Sequence, residues 1–568
     1  MANVAARGAW RVLVLVTGAG LLFWRLMVHE GSPDPKGTSP SRLNPDGGAD
    51  AFQHTYLDPL NGIRSNARRE CAECHDATDR FDPVRWSAIQ SLSPLSEAEW
   101  SAAVHLTGVC GTCHAVPAPV QLSASQWPGV FQRMQEIMPL RGVQRTPPEL
   151  LQQVLHLYLT FSDRQLPRLQ RPSLNTRGEL EMVWRRSPLG NELQRGDAPR
   201  PRIGQVSSAS LSSGGPAGVM VCDTGESTVN WIELGAGGGV ERTLLRLQHP
   251  ARASVVPGGV AGLNDLLVAC LGTMESKDEP LGSVVLARQQ APGEFRPQVI
   301  AQGLSRVVDA RLADVDSDGL PDVFVAAYGF IQSGEVGWLR NLGDGGYAYH
   351  TIKKQSGAVR LIPADLDRDG RMDFVVLFAQ EHEEVRAFLN RGQGKFEESA
   401  LWTARTPAYG CSSMELLDLD GDGDLDVVFT NGDNLDQVRP EPRPFHGVQW
   451  LENKGELRFV WHDLARAYGA YAVQAGDLNG DGLPDLVVGM LFNDWSDPSH
   501  PSLLWLQNLG ASQFRPHTVD VAPTHLISVA LFDVDRDGAL DIVAGGMHGF
   551  PPYDRMGRIT WWRNGLRR

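Results

Sequence analysis

One short pattern, D-x-D-x-D-G-x-x-D with Asn for the second Asp in one copy, recurs five times after residue 300, and each time an apolar run follows it. The copies are Asp314, Asp316, Asp318 and Asp322; Asp365, Asp367, Asp369 and Asp373; Asp418, Asp420, Asp422 and Asp426; Asp477, Asn479, Asp481 and Asp485; and Asp533, Asp535, Asp537 and Asp541. They begin 51, 53, 59 and 56 residues apart. Oxygen side chains at loop positions 1, 3, 5 and 9, with glycine at position 6 for a sharp turn, suit a hard cation such as calcium, which takes six to eight oxygens. Without a cation the crowded carboxylates repel one another. About five calcium sites are therefore expected. An EF-hand is excluded because its twelfth position needs a bidentate Glu, and here that position holds Val325, Val376, Phe429, Val488 and Ala544. The loops join strands, not helices.

A repeat of about fifty residues, each with several strands, marks the blade of a propeller. The strand after each loop leads to another, at 335–341, 385–390, 448–453, 502–508 and 558–564, and each ends on Asn. Two earlier units keep the strands without the loop: 219–223 with 228–234, and 265–271 with 282–288. Seven units result. The last ends near Arg568 without a fourth strand, yet residues 178–184 (GELEMVW) nearly repeat residues 455–461 (GELRFVW). Residues 178–184 are predicted to complete the final blade and so remove an exposed edge.

Four of the seven cysteines fall in two identical pentapeptides, Cys71, Cys74, His75 and Cys110, Cys113, His114, each C-x-x-C-H. This is the attachment signature of haem c. Two thiols spaced this way reach the two vinyl groups of one porphyrin, and the adjoining histidine becomes the proximal ligand. A zinc ribbon needs a shorter gap between pairs and gives no reason for both histidines. Two haem c groups are expected. Either Met134 or Met138 is expected to be the sixth ligand of the second haem, and His54, His105 and His156 are candidates for the first. Residues 147–161 carry a helical apolar pattern (Leu151, Val154, Leu155, Leu157, Leu159) that could close a small cytochrome fold, leaving His156 as a buried structural residue.

The amino end reads as an export signal. Arg7 and Arg11 precede an apolar run, and residues 10–28 are about long enough to span a bilayer if Arg25 snorkels. No A-x-A-like site follows, which favours an uncleaved anchor over a cleaved signal and secretion. Residues 31–50, rich in Pro, Gly and Ser, read as a tether. The expected organisation is multidomain: 1–30 anchor, 31–55 linker, 56–170 a small α-helical dihaem cytochrome c region, 171–568 an all-β seven-bladed propeller. Lys and Arg number 52 against 67 Asp and Glu, a net charge of −15, which argues against nucleic acid.

Residues from about 300 to 568 resemble the FG-GAP/VCBS repeats of integrin-type propellers. Residues 110–134, with Cys-x-x-Cys-His-x-x-Pro and a downstream Trp and Met, resemble cytochrome domains fused to such repeats in bacteria. The resemblance implies calcium at the loop positions and haem at the pentapeptides; residues 71–75 lie outside its reach. It implies no substrate. The connections opposite the aspartate loops are expected to form a ligand or partner face holding Asn434, Asp436, His446, Asn493, Asp494, Trp495, His500, His548 and Tyr553, with Tyr409, Tyr468 and His525 from the links between blades. Cys222 and Cys270 occupy corresponding positions and are expected as buried free thiols, with Cys411 near the candidate face. The leading expectation is an electron carrier on the outer side of a bacterial inner membrane or at the cell surface, with an unidentified redox partner. The alternative is a haem-dependent oxidoreductase whose propeller binds an organic substrate.

Overall fold

The computed structural model describes residues 117, 119–162, 183–191, 200–235, 238–404, 406–435 and 443–565, all within one compact unit. The described β-structure forms seven four-stranded antiparallel sheets. In blade 3 they run Val307–Ala313, Asp322–Ala327, Glu335–Asn341 and Tyr347–Lys354. The first strand of each blade lines the axis and touches the first strands of its neighbours, and Ile203–Ala209 meets Leu526–Phe532 to close the ring. The seven-bladed propeller is borne out.

The second strands are short and, after a leading aspartate, mostly apolar, and from Asp322–Ala327 to Asp541–Gly546 every residue is buried. A strand covered on both faces loses the polar alternation of a half-exposed one. Between blades 3 and 4 the filling is aromatic: the Phe324 and Phe374 rings lie 4.5 Å apart, and Phe374 and Phe388 stack at 4.7 Å.

A propeller leaves the axial edge of each first strand unpaired, and buried amides need partners. Side chains of neighbouring blades supply some. Gln205 Oε1 accepts from Ala253 N at 2.6 Å, Asp309 Oδ2 from Leu361 N at 3.3 Å, and Ser528 Oγ from Val206 N at 2.8 Å. The last of these crosses from blade 7 to blade 1.

Blade 7 takes its outer strand from the other end of the propeller, as expected, but at a different register. The strand is Trp184–Pro188, antiparallel to Ile559–Asn564, with Trp184 opposite Asn564. Matching the heptapeptides would have put residue 182 there. The shift is two residues, which preserves the faces of the strand. Residues 178–182 lie outside the described residues.

Among the described residues two α-helices precede the propeller: α1 (Trp127–Leu140) and α2 (Pro148–Phe161). Each has Pro in its first turn, where the missing N–H costs no helical bond. They pack through Trp127, Phe131 and Tyr158; the Trp127 and Tyr158 rings meet edge-on at 4.5 Å. Trp127 Nε1 donates to Pro119 O at 2.9 Å and Tyr158 Oη to Pro117 O at 2.6 Å. Val154 and Leu157 are buried as the pattern predicts, but Leu159 and His156 are exposed. His156 is therefore no buried structural residue. Among the described residues no helix is long and apolar enough to cross a membrane; the apolar run 10–28 lies outside them.

Candidate functional site

Each aspartate loop joins the first and second strands of its blade, so all five open on one side. The loops are braced by their own carboxylates. Position 1 accepts the amide of the position-6 glycine in every copy, as in Gly319 N to Asp314 Oδ2 at 3.1 Å and Gly538 N to Asp533 Oδ2 at 2.9 Å. Position 5 accepts the amide of position 7, as in Leu320 N to Asp318 Oδ1 at 2.9 Å. The position-6 glycines have φ between 82° and 92°, and a Cβ there would meet nothing within 4 Å. Glycine is needed for its backbone angle rather than for space. Position 4 is also left-handed, with Ser317, Arg368 and Arg536 as well as Gly421 and Gly480. Only the two glycines hinted at this in the sequence.

The position-9 aspartates also tie the loop to the third strand of the blade. Each is buried, with Oδ2 accepting the position-2 amide and Oδ1 accepting the amide of the Asn that ends the third strand. In blade 5, Leu419 N lies 3.1 Å and Asn453 N 2.8 Å from Asp426. The same pairs recur at Asp322, Asp373, Asp485 and Asp541. Burial pushes the carboxyls of Asp426, Asp485 and Asp541 up to about 6, a cost that a bound cation would offset.

The loops gather donors closely enough to hold a metal ion. Ligand oxygens of Asp314, Asp316 and Asp322 lie within 4.8 Å of one another, as do those of Asp365, Asp367 and Asp373, of Asp418, Asp420 and Asp426, and of Asp533, Asp535 and Asp537. The fourth loop substitutes Asn479, whose Nδ2 donates to Asp481 Oδ2 at 2.8 Å. Arginines that sequence reasoning passed over sit beside three of the loops. Arg340 reaches Asp316 and Arg391 reaches Asp367, each at 2.6 Å, and Arg563 pairs with Asp535. All three adjoin the Asn that ends the third strand.

On the opposite side, the expected ligand face is partly interior. Asn434, His446, His525, His548 and Tyr409 are buried, while Asn493, Asp494, Trp495, Tyr468 and His500 are half-buried and Tyr553 is exposed. Asp436 lies outside the described residues. The end of α1 reaches this side: Gln332 Nε2 donates to Leu140 O at 2.6 Å, and Arg141 pairs with Glu381. Met138 is buried, and its Sδ receives Gln135 Nε2 at 3.5 Å and Thr146 Oγ1 at 3.9 Å. Met134, one turn earlier, is half-buried. Cys71, Cys74, His75, Cys110, Cys113, His114, His54 and His105 lie outside the described residues.

Cys222, Cys270 and Cys411 are buried free thiols, as expected. Burial raises all three, Cys270 to about 12, so none is a ready nucleophile. Near the axis the sequence offered no warning of a second charged group. Asp309, fully buried, is met by Arg311 at 2.9 Å, Arg252 at 3.5 Å and Arg360 at 3.6 Å, and Arg360 reaches Glu415 at 3.6 Å. Burial alone would raise the Asp309 carboxyl; Arg311, Arg252 and Arg360 outweigh it and hold it below its usual range.

Residues 314–376, 365–429 and 443–488 match the family model of the FG-GAP-like repeat. The matched stretches span the first three aspartate loops and take in the fourth. No curated protein matches the chain.

Proposed function

We propose that the chain is an exported c-type cytochrome carrying two covalent haems, with a calcium-stiffened propeller that docks its redox partner. The observation that carries this reading is the pair of C-x-x-C-H pentapeptides at 71–75 and 110–114. Bound there, haem iron would supply one-electron transfer. The chain's part is to fasten the porphyrin through Cys71 and Cys74, and through Cys110 and Cys113, and to present His75 and His114 beneath the iron. Of the two methionines, Met134 is the better sixth ligand, because the Met138 sulfur is buried and already engaged by Gln135 and Thr146. The α1–α2 pair, packed on Trp127 and Tyr158, supports a small helical region in 56–170. Residues 10–28 anchor it and 31–55 tether it.

Calcium follows from the donor set: four loops gather three carboxylates each, held open by backbone bonds that need no ion. This hard, all-oxygen set fits calcium and not a soft metal. The contact of α1 with the loops of blades 3 and 4 supports that side of the propeller as the one that works with the redox region.

The test counts thiols. Seven cysteines are present; with four in thioethers, denatured, reduced protein takes up three alkyl groups and gives a c-type pyridine haemochrome. Seven alkyl groups and no haemochrome, from protein matured in a host competent for haem attachment, would overturn the proposal.

A further inference from the structure

The chain just past the second pentapeptide is fixed at two points. Tyr158 Oη, on α2, donates to Pro117 O at 2.6 Å, and Trp127 Nε1, on α1, donates to Pro119 O at 2.9 Å. Trp127 and Tyr158 are both buried, so the two anchors belong to the packed centre of the helix pair. Pro119–Gln121 form a single 3-10 turn, and Gln121, Leu122 and Ser123 are buried ahead of α1.

Gln121 is 1% exposed, and neither end of its amide is bonded: Oε1 and Nε2 are both buried and unpaired. Among the described residues ahead of the propeller, no other side chain has both polar ends in this state. Gln126, the neighbouring glutamine, has its Oε1 taken by Ser123 N at 3.1 Å and Ser123 Oγ at 3.3 Å. A buried amide that meets nothing is costly, because it has given up water without replacement. Its Oε1 only accepts and its Nε2 only donates. Seven residues earlier stands His114, the last residue of the second pentapeptide. A histidine that ligates a metal through one ring nitrogen carries a proton on the other, and that N–H normally finds an acceptor. It is the donor that Oε1 lacks.

We infer, resting on the haem reading above, that Gln121 is a positioning residue for the second haem, its Oε1 accepting from the Nδ1–H of His114. The bond holds the imidazole in one tautomer and one orientation. By drawing the ring proton toward oxygen it also makes the ligating nitrogen a stronger donor to iron. A stronger donor favours the ferric state, so the bond lowers the reduction potential of that haem. Tyr158 and Trp127 support it by pinning the chain between His114 and Gln121.

The test is a spectroelectrochemical titration of full-length, haem-matured protein, the parent against Gln121→Leu and Gln121→Glu. Gln121→Leu removes the acceptor. It should raise one of the two haem potentials, changing that haem's reduced-to-oxidised ratio at a fixed potential by about tenfold, and leave the other in place. Gln121→Glu restores an acceptor and should return the shifted potential to the parent's value or below it. In the reduced parent, proton NMR should place the His114 ring N–H beside the Gln121 side chain and show it slow to exchange. Unmoved potentials in a folded Gln121→Leu protein carrying both haems would overturn the inference, as would a potential lowered by that change. So would a His114 ring proton remote from Gln121 in the parent, a result that needs no variant. Parent protein that takes up no haem overturns the haem reading and this inference with it, so the two failures are told apart.

Discussion

Trp184 stands directly across from Asn564, as Phe459 does from Asn453 and Phe514 from Asn508. An aromatic residue opposite the terminal asparagine therefore recurs even where the two strands come from opposite ends of the propeller. Asn564 Nδ2 donates to Leu540 O at 3.1 Å and across the blade boundary to Leu478 O at 2.9 Å. Asn564→Ala would leave two buried carbonyls short of a partner. A loss of about 2 kcal/mol is expected, read as a lower urea midpoint with an unchanged slope.

Asp309→Ala would take the shared carboxylate from Arg252, Arg311 and Arg360 near the axis, leaving only Arg360 with another, Glu415. Breaking a buried charge group by removing one side costs about 3–5 kcal/mol. Arg252→Met in the same background should recover part of this by removing an unpaired charge, and a double-mutant cycle in urea checks the coupling.

Calcium should raise the melting temperature, and a chelator should lower it. Each site held at a hundredfold its dissociation constant adds about 2.7 kcal/mol. Asp365 accepts from Gly370 N and Asp369 N at 3.0 and 3.1 Å. Asp365→Asn keeps only one of these two acceptors and loses the charge, so it should be less stable than the parent in chelator and also show a smaller rise with calcium.

Acid should weaken blades 6 and 7 through His525. Burial, with His548 and Arg555 nearby, pushes its imidazole down to about 3 from an ordinary 6.5. Above pH 6.5 both folded and unfolded forms are neutral, and the full stability is present. As pH falls through 6.5 only the unfolded chain takes up the proton, so stability declines until pH nears 3. At pH 5 the loss is about 2 kcal/mol. Urea midpoints at pH 7.5 and pH 5 should differ less in His525→Gln than in the parent; equal differences would refute the assignment.

Much of this architecture was legible because it repeats. Five copies of one loop gave the blade period, and strands ending at Asn341, Asn390, Asn453, Asn508 and Asn564 showed where the third strand of each ends. The register of Trp184 was not legible, because the likeness of 178–184 to 455–461 is two residues out of step with the pairing. The Asp309 group was hidden for another reason. Arg252, Asp309, Arg360 and Glu415 come from four first strands, and only the packing of successive blades around the axis brings them together. His525 and His548 were seen, but as residues of solvated loops rather than buried ones.

The completed blade 7 also sets an order of events. Trp184 leaves the ribosome 380 residues before Asn564, and long-range pairing of this kind is slow. Until then its strand has no partner while other blades can zip up from neighbouring segments. Trp184–Pro188 reads W-R-R-S-P. Two arginines and a proline discourage a waiting strand from joining the wrong sheet, so the latecomer's partner is kept available by its own composition.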